Sequence, residues 1–198
     1  IDNSTNLEKQ KMTPKIIEFF DSQNLKLQIY SNNTTGQNNI DDIIGIILSG
    51  SPIRLSNSSL IEKYIINFNI IIKYPNIPIL GICFGFQIMC LAYGSKIGKL
   101  INTKNGVLED VNITESKESI LFKNIDKSDI KVYQNHSDYI VKAPSSFNVT
   151  AINKDNIIQS VENETIYRFG TQFHPENSED GKTILKNFIN FCLTKINS

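Results

Sequence analysis

Apolar positions along this chain switch between two periods, and the switches predict its elements. Between Thr13 and Ser22 the apolar residues Ile16, Ile17, Phe19 and Phe20 recur at helical spacing behind Pro14, so a helix is predicted there. Leu25 to Tyr30 alternates apolar and polar, the period of a strand. Ser31 to Asn39 is polar and contains Gly36, the composition of a loop. Ile43 to Leu48 is an apolar run closed by Ser49-Gly50-Ser51-Pro52, which predicts a buried parallel strand ending in a tight turn. A helix is predicted over Ser59 to Lys73, a second buried strand over Ile77 to Ile82, and an apolar helix from Phe86 to Tyr93 that Gly94 stops. The opening Ile1-Asp2-Asn3 reads as the end of a first strand.

The second half changes character. Gly106 to Ile113, Ile130 to Tyr133, Asn148 to Ile152, Ile157 to Val161 and Thr165 to Phe173 are short strand-like segments. Asp180 to Lys195 returns to helical spacing through Ile184, Leu185, Phe188, Ile189 and Cys192. Alternation of strands and helices followed by a β-rich stretch predicts an α/β fold. We expect a single domain over residues 1–198, with a mainly parallel central sheet flanked by helices and a smaller β-rich decoration.

Composition narrows the function classes. A chain of 198 residues can bury a full core, and its 20 Lys and Arg balance its 20 Asp and Glu. With no basic block, electrostatics give no reason to expect a nucleic-acid partner. No apolar run is long enough for a membrane span, and no signal peptide is visible, so a cytoplasmic location is expected. Three cysteines without metal-like spacing suggest free thiols and no metal site. Of these, Cys90 and Cys192 fall within apolar helices and read as core residues.

Cys83 is different. It sits between Gly81 and Gly85, where the Ile77–Ile82 strand meets the next helix. This is the G-x-nucleophile-x-G elbow, with sulfur in place of a hydroxyl. The glycines remove the Cβ atoms that a sharp strand-to-helix turn would crowd. The nucleophile then projects at the positive end of a helix, which favours thiolate. A lone cysteine in an apolar segment is usually a core residue, so the chemistry depends on finding a base. His174-Pro175-Glu176 supplies one, together with a carboxylate two residues on that can orient the imidazole, so Cys83, His174 and Glu176 are the candidate triad. An oxyanion would need two N–H donors. Phe84 follows the nucleophile and offers one, and the turn at Gly50 and Ser51 offers the other.

Leu80-Gly-Ile-Cys-Phe-Gly-Phe-Gln87 together with Gln172-Phe-His-Pro-Glu176 resembles the class I, triad-type glutamine amidotransferases, and the resemblance spans nearly the whole chain. It implies a flavodoxin-like core and hydrolysis of the glutamine side-chain amide through a γ-glutamyl thioester on Cys83. It also implies substrate contacts from Gln87, Ser137 and Asp138. Glutamine is then the substrate, and the implied partner is an ammonia-accepting synthetase domain or subunit. No cofactor is expected in this domain; ATP and Mg are implied only for the synthetase. Gln134-Asn-His-Ser-Asp138 is similar to the Ser-His-Gly-Asp element of GMP synthase glutaminase domains, which makes His136 a pocket or interface residue rather than the base. Ser51 stands where the family's oxyanion turn usually has a second glycine. Other readings stay open: a glutaminase subunit of an anthranilate or aminobenzoate synthase, a stand-alone γ-glutamyl hydrolase or peptidase, and a non-catalytic regulatory module of the same fold.

Overall fold

Ile79, Leu80, Gly81 and Ile82 form strand β2 (Ile79–Ile82), and all four are buried, which explains why this segment reads as an unbroken apolar run. In the computed structural model, which describes residues 1–3, 13–31, 42–56, 62, 64–114 and 118–196, β2 lies inside one sheet. Its neighbours are β1 (Ile46–Leu48) and β7 (Arg168–Thr171), and both pairings are parallel. The sheet continues from β7 through β6 (Ile158–Asn163), β5 (Asn148–Asn153) and β3 (Ile97–Ile113) to β4 (Asp129–Ile140), and every one of these pairings is antiparallel. The parallel region and the β-rich half are therefore one continuous mixed sheet.

Helices cover both faces. On one side α1 (Thr13–Ser22) and α4 (Glu179–Ile196) bring Ile16, Phe19, Ile184 and Phe188 against Leu80, Ile82 and Phe169. On the other, α2 (Ile65–Lys73) and α3 (Phe84–Ala92) bring Ile70, Ile71, Phe86 and Met89 against Leu48, Ile79 and Val161. Successive strand residues point to opposite faces, so Ile79 and Leu80 serve different cores. Arg168 is buried at the start of β7, without a carboxylate partner among the described residues. Its guanidinium donates to the carbonyls of Ile71, Tyr74 and Ile77 at 2.8–2.9 Å and to the Tyr93 hydroxyl at 3.2 Å. It thereby satisfies carbonyls at and beyond the C-terminal end of α2, where the helix dipole is negative.

Some sequence expectations differ in detail from the structure. Leu25–Tyr30 forms no ladder: Asp2 N–H donates to Tyr30 O at 2.8 Å, with a single parallel bridge between Asp2 and Ser31. A strand needs a partner as well as an alternating pattern, and among the described residues this segment meets only that one. The expected loop after Ser31 and the start of the Ser59–Lys73 helix lie largely outside the described residues. β3 begins nine residues before the predicted Gly106, because its first part is a solvated hairpin arm with little apolar signal. Ile1–Asn3 does run strand-like beside β1: Ser49 N–H donates to Ile1 O at 3.0 Å, and Asn3 Nδ2 donates to Ser49 O at 3.0 Å.

Candidate active site

The turn between β2 and α3 is crowded enough to exclude ordinary side chains from its flanks. Cys83 has φ 51° and ψ −101°, a backbone that a non-glycine residue adopts only where its surroundings impose it. A Cβ on Gly81 would lie 2.6 Å from Phe86 N, and one on Gly85 would lie 2.6 Å from the Leu48 carbonyl carbon. Cys83 N–H donates to Thr171 O at 2.8 Å, tying the elbow to β7. Phe84 is the first residue of α3, so its N–H belongs to the unpaired donors of the helix start.

The sheet brings His174 to this point. β7 ends at Thr171, and three residues later His174 N–H donates to Tyr133 O on β4 at 2.9 Å. Pro175 then starts a 3-10 turn, Pro175–Asn177, that carries Glu176 back beneath the ring. Nδ1 of His174 lies 2.9 Å from Glu176 Oε1, and both side chains are buried. Burial acts to lower the His174 pKa, but the charges of Cys83 and Glu176 and hydrogen bonds to both outweigh it and raise the value to about 10. Among the described residues the second carboxylate oxygen of Glu176 has no donor, so the imidazole is the partner that balances its charge.

Gly50 closes the third side. A Cβ there would lie 2.9 Å from His174 Cε1 and 3.8 Å from Cys83 Cβ. Neither Gly50 nor Ser51 donates its N–H to a main-chain acceptor among the described residues. Ser51 is not among the non-glycine residues of positive φ, so its Cβ causes no backbone strain. Its hydroxyl turns away, 3.3 Å from Tyr64 Oη, and accepts from Ile53 N–H at 3.3 Å.

Gln87, Ser137 and Asp138 are all buried, and the protein itself occupies polar groups of Gln87 and Asp138. Asp138 accepts from Ser56 N–H at 2.8 Å and from the Ser56 hydroxyl at 2.9 Å, which clasps the segment after the Gly50 turn onto β4. Gln87 Nε2 donates to Asp138 O at 2.9 Å and to Gln172 Oε1 at 3.0 Å. Among the described residues, His136 makes no hydrogen bond to Cys83, His174 or Glu176. Its Nδ1 lies 2.8 Å from Asp138 O and its Nε2 lies 3.1 Å from Gln134 Oε1. Burial pushes its pKa down to about 4, so the ring is neutral near pH 7 and has one N–H to give.

Sequence reasoning passed over two neighbours of the sulfur. Gln172 Nε2 lies 3.7 Å from Sγ and Asn135 O lies 3.8 Å from it. Gln172 stands inside the Gln-Phe-His-Pro-Glu motif, so a polar residue in an otherwise apolar strand end was the available signal. Asn135 contributes only its carbonyl, which no side-chain pattern reveals. Among the described residues there is no group of three or more His, Cys, Asp or Glu that could hold a metal ion, and no helix is long and apolar enough to cross a membrane.

Known proteins share this arrangement of sequence and fold. The class-I glutamine amidotransferase family profile matches residues 9–191. A subunit of the glutamine-hydrolyzing GMP synthase of Pyrococcus abyssi is 34% identical over 150 residues, 75% of either chain. Its counterpart in Methanocaldococcus jannaschii is 34% identical over 165 residues, 81% of either chain. The glutamine-hydrolyzing GMP synthase of Petrotoga mobilis is 38% identical over 154 residues, but this chain spans only 28% of its length. Among solved structures, a proposed GMP synthase subunit from Thermoplasma acidophilum superposes with a TM-score of 0.79 at 26% identity, covering 100% of this chain and 94% of that one.

Proposed function

Since this chain belongs to the class-I glutamine amidotransferases and is a glutamine-hydrolysing enzyme, we propose that it works through Cys83, His174 and Glu176 and supplies the ammonia that converts XMP to GMP. The observation that carries the triad is the meeting of three chain segments at one point. Cys83 is held in the elbow at φ 51°, His174 is hydrogen-bonded to Glu176 at 2.9 Å, and a Cβ on Gly50 would meet both the cysteine and the histidine.

The steps follow from those positions. The Cys83 thiolate attacks the side-chain amide carbon of glutamine, and the carbonyl oxygen becomes an oxyanion. N–H groups of Phe84 and of the Gly50–Ser51 turn stabilise that charge, which exists only transiently. His174 delivers its proton to the nitrogen as the C–N bond breaks, and ammonia leaves. The neutral imidazole then takes a proton from water, which attacks the γ-glutamyl thioester. Glutamate departs and the thiolate–imidazolium pair is restored. Glu176 holds the ring in place and stabilises its charged form throughout.

The GMP-forming role rests on the similarity to the archaeal GMP synthase subunits over three quarters or more of both chains. That role requires a synthetase partner with ATP and Mg. The test is transfer of label from glutamine carrying 15N in its side-chain amide. With XMP, ATP, Mg and a GMP synthase synthetase subunit, 15N is expected in GMP. Label found only in free ammonia, under conditions where that subunit makes GMP from added ammonia, would reject this chain as its donor.

A further inference from the structure

We propose that Tyr64 and Asn67, on the first turn of α2, are positioning residues for the oxyanion donors: they hold Ser49 and Ser51 on either side of Gly50, and Tyr64 also seats against Phe84. This rests on Cys83 attacking the glutamine amide with the Gly50–Ser51 turn and Phe84 as donors.

On the Ser49 side the bonds form a chain whose directions follow from one fixed acceptor. The main-chain carbonyl of Ser49 can only accept, so the Asn3 amide presents its nitrogen there, at 3.0 Å. Asn3 Oδ1 then faces α2 and accepts from Asn67 Nδ2 at 2.9 Å. Asn3 N–H donates to the Ser49 hydroxyl at 2.9 Å, and that hydroxyl passes its own hydrogen to Gly50 O at 3.1 Å. Asn3, Ser49 and Asn67 are all buried, so water does not substitute for these bonds. A trans peptide points its N–H opposite to its C=O, so holding Gly50 O also sets the direction of Ser51 N–H.

On the other side, the Ser51 hydroxyl lies 3.3 Å from Tyr64 Oη. The Tyr64 ring lies edge-on to Phe84 with centroids 4.6 Å apart, and both rings are buried. One side chain therefore touches both residues that carry the donors. Tyr64 and Asn67 are three positions apart at the start of the helix and share a face, and Asn67 Nδ2 also reaches Tyr64 O at 3.5 Å. Such donors act on a charge that exists only during the reaction, so they must be in place beforehand. Gly50 has no side chain with which to fix the turn. The serine at position 51 gives the turn a hydroxyl that α2 can hold, which a second glycine would lack.

The test uses variants of the whole protein, assayed for kcat and KM with glutamine in the presence of a GMP synthase synthetase subunit. Beside these, the rate of Cys83 alkylation by iodoacetamide is followed at one pH by mass spectrometry. Alkylation displaces iodide and forms no oxyanion, so it reads the nucleophile without the donors. Tyr64→Phe keeps the ring and removes only the hydroxyl. Its kcat should fall about tenfold, less than for outright loss of a donor, while KM and the alkylation rate stay within about twofold. Ser51→Ala should show the same pattern, and adding Tyr64→Phe to it should cost nothing further. Asn67→Leu should lower kcat by more than tenfold with alkylation again unmoved; should it fail to fold, the two hydroxyl variants still decide. An unmoved kcat in Tyr64→Phe, losses that multiply in the double variant, or an alkylation rate that falls in step with kcat would each overturn the proposal. Wild-type protein that is alkylated at Cys83 but hydrolyses no glutamine would instead sink the amidotransferase mechanism, and this inference with it.

Discussion

The Cα of Gly50 faces the ring of His174 so closely that an added methyl group would sit 2.9 Å from Cε1. Cε1 is bonded to Nδ1, the atom that meets Glu176, so the ring cannot retreat without disturbing that hydrogen bond. Gly50→Ala is therefore expected to cut glutamine turnover by about 10² to 10³, comparable to loss of one oxyanion donor, with the melting temperature nearly unchanged. Gly85→Ala meets the Leu48 main chain instead, and main chain inside a sheet cannot yield. That variant should lose folded protein, seen in thermal melts, before it loses any specific step.

Replacing Cys83 tests the nucleophile itself. Cys83→Ser keeps nearly the same volume at a buried position, so the fold should survive with a melting shift of a few degrees. Its glutaminase rate should fall by at least about 10³-fold, because the hydroxyl does not ionise as the thiol does. Turnover in that variant within tenfold of wild type would exclude Cys83 as the attacking group.

Much of this could be read from the residues alone. The elbow, the histidine and its carboxylate depend on local spacing, and local spacing is visible in a sequence. β3 shows what is not. Its first half is mostly solvent-exposed, so it lacks the apolar alternation that marks a strand, and only pairing with β4 reveals it. Asp138 shows the same limit within the site. A motif can nominate its carboxylate, but it cannot show that Ser56, distant in sequence, already occupies both oxygens.

The pKa of His174 carries a stability consequence. It is raised from 6.5 to about 10, so between those values the folded protein holds a proton that the unfolded chain has released. The contribution is complete below about pH 6.5 and disappears as pH rises through about 10. Stability measured by urea titration should therefore decline across this window. Glu176→Gln removes one of the charges that raises the histidine, so the decline should end at a lower pH and should begin from a lower starting stability. The same variant should lose about 10²-fold in kcat, since the ring loses the anion that favours its charged form. A decline that still runs to the wild-type pH would separate Glu176 from the titration of His174.

Arg168 offers a prediction far from the chemistry. Its guanidinium satisfies the carbonyls of Ile71, Tyr74 and Ile77 at once. Arg168→Met fills similar space but strips these carbonyls of the guanidinium, leaving Tyr74 O only the Ile77 N–H at 3.4 Å, which should cost about 3 kcal/mol or more in denaturant-measured stability. Since α2 packs on α3, which starts at the elbow, activity at temperatures where the variant stays folded should change little if the role is structural.

β4 meets the site through every second or third residue. Tyr133 receives the His174 amide, Asn135 faces the sulfur, and Asp138 holds both Ser56 and Gln87. The neighbouring β3 already departs from regular register between Lys99 and Lys104 and between Asn105 and Val107. The two strands of this hairpin thus differ in their tolerance of length. An extra residue in β3 can be absorbed where the ladder is already broken. An extra residue in β4 would reverse which face each following group presents, detaching the clasp, the amide chain and the histidine anchor from one another in a single event. Loop grafts or inserted reporters that must spare the active site therefore belong in the β3 arm.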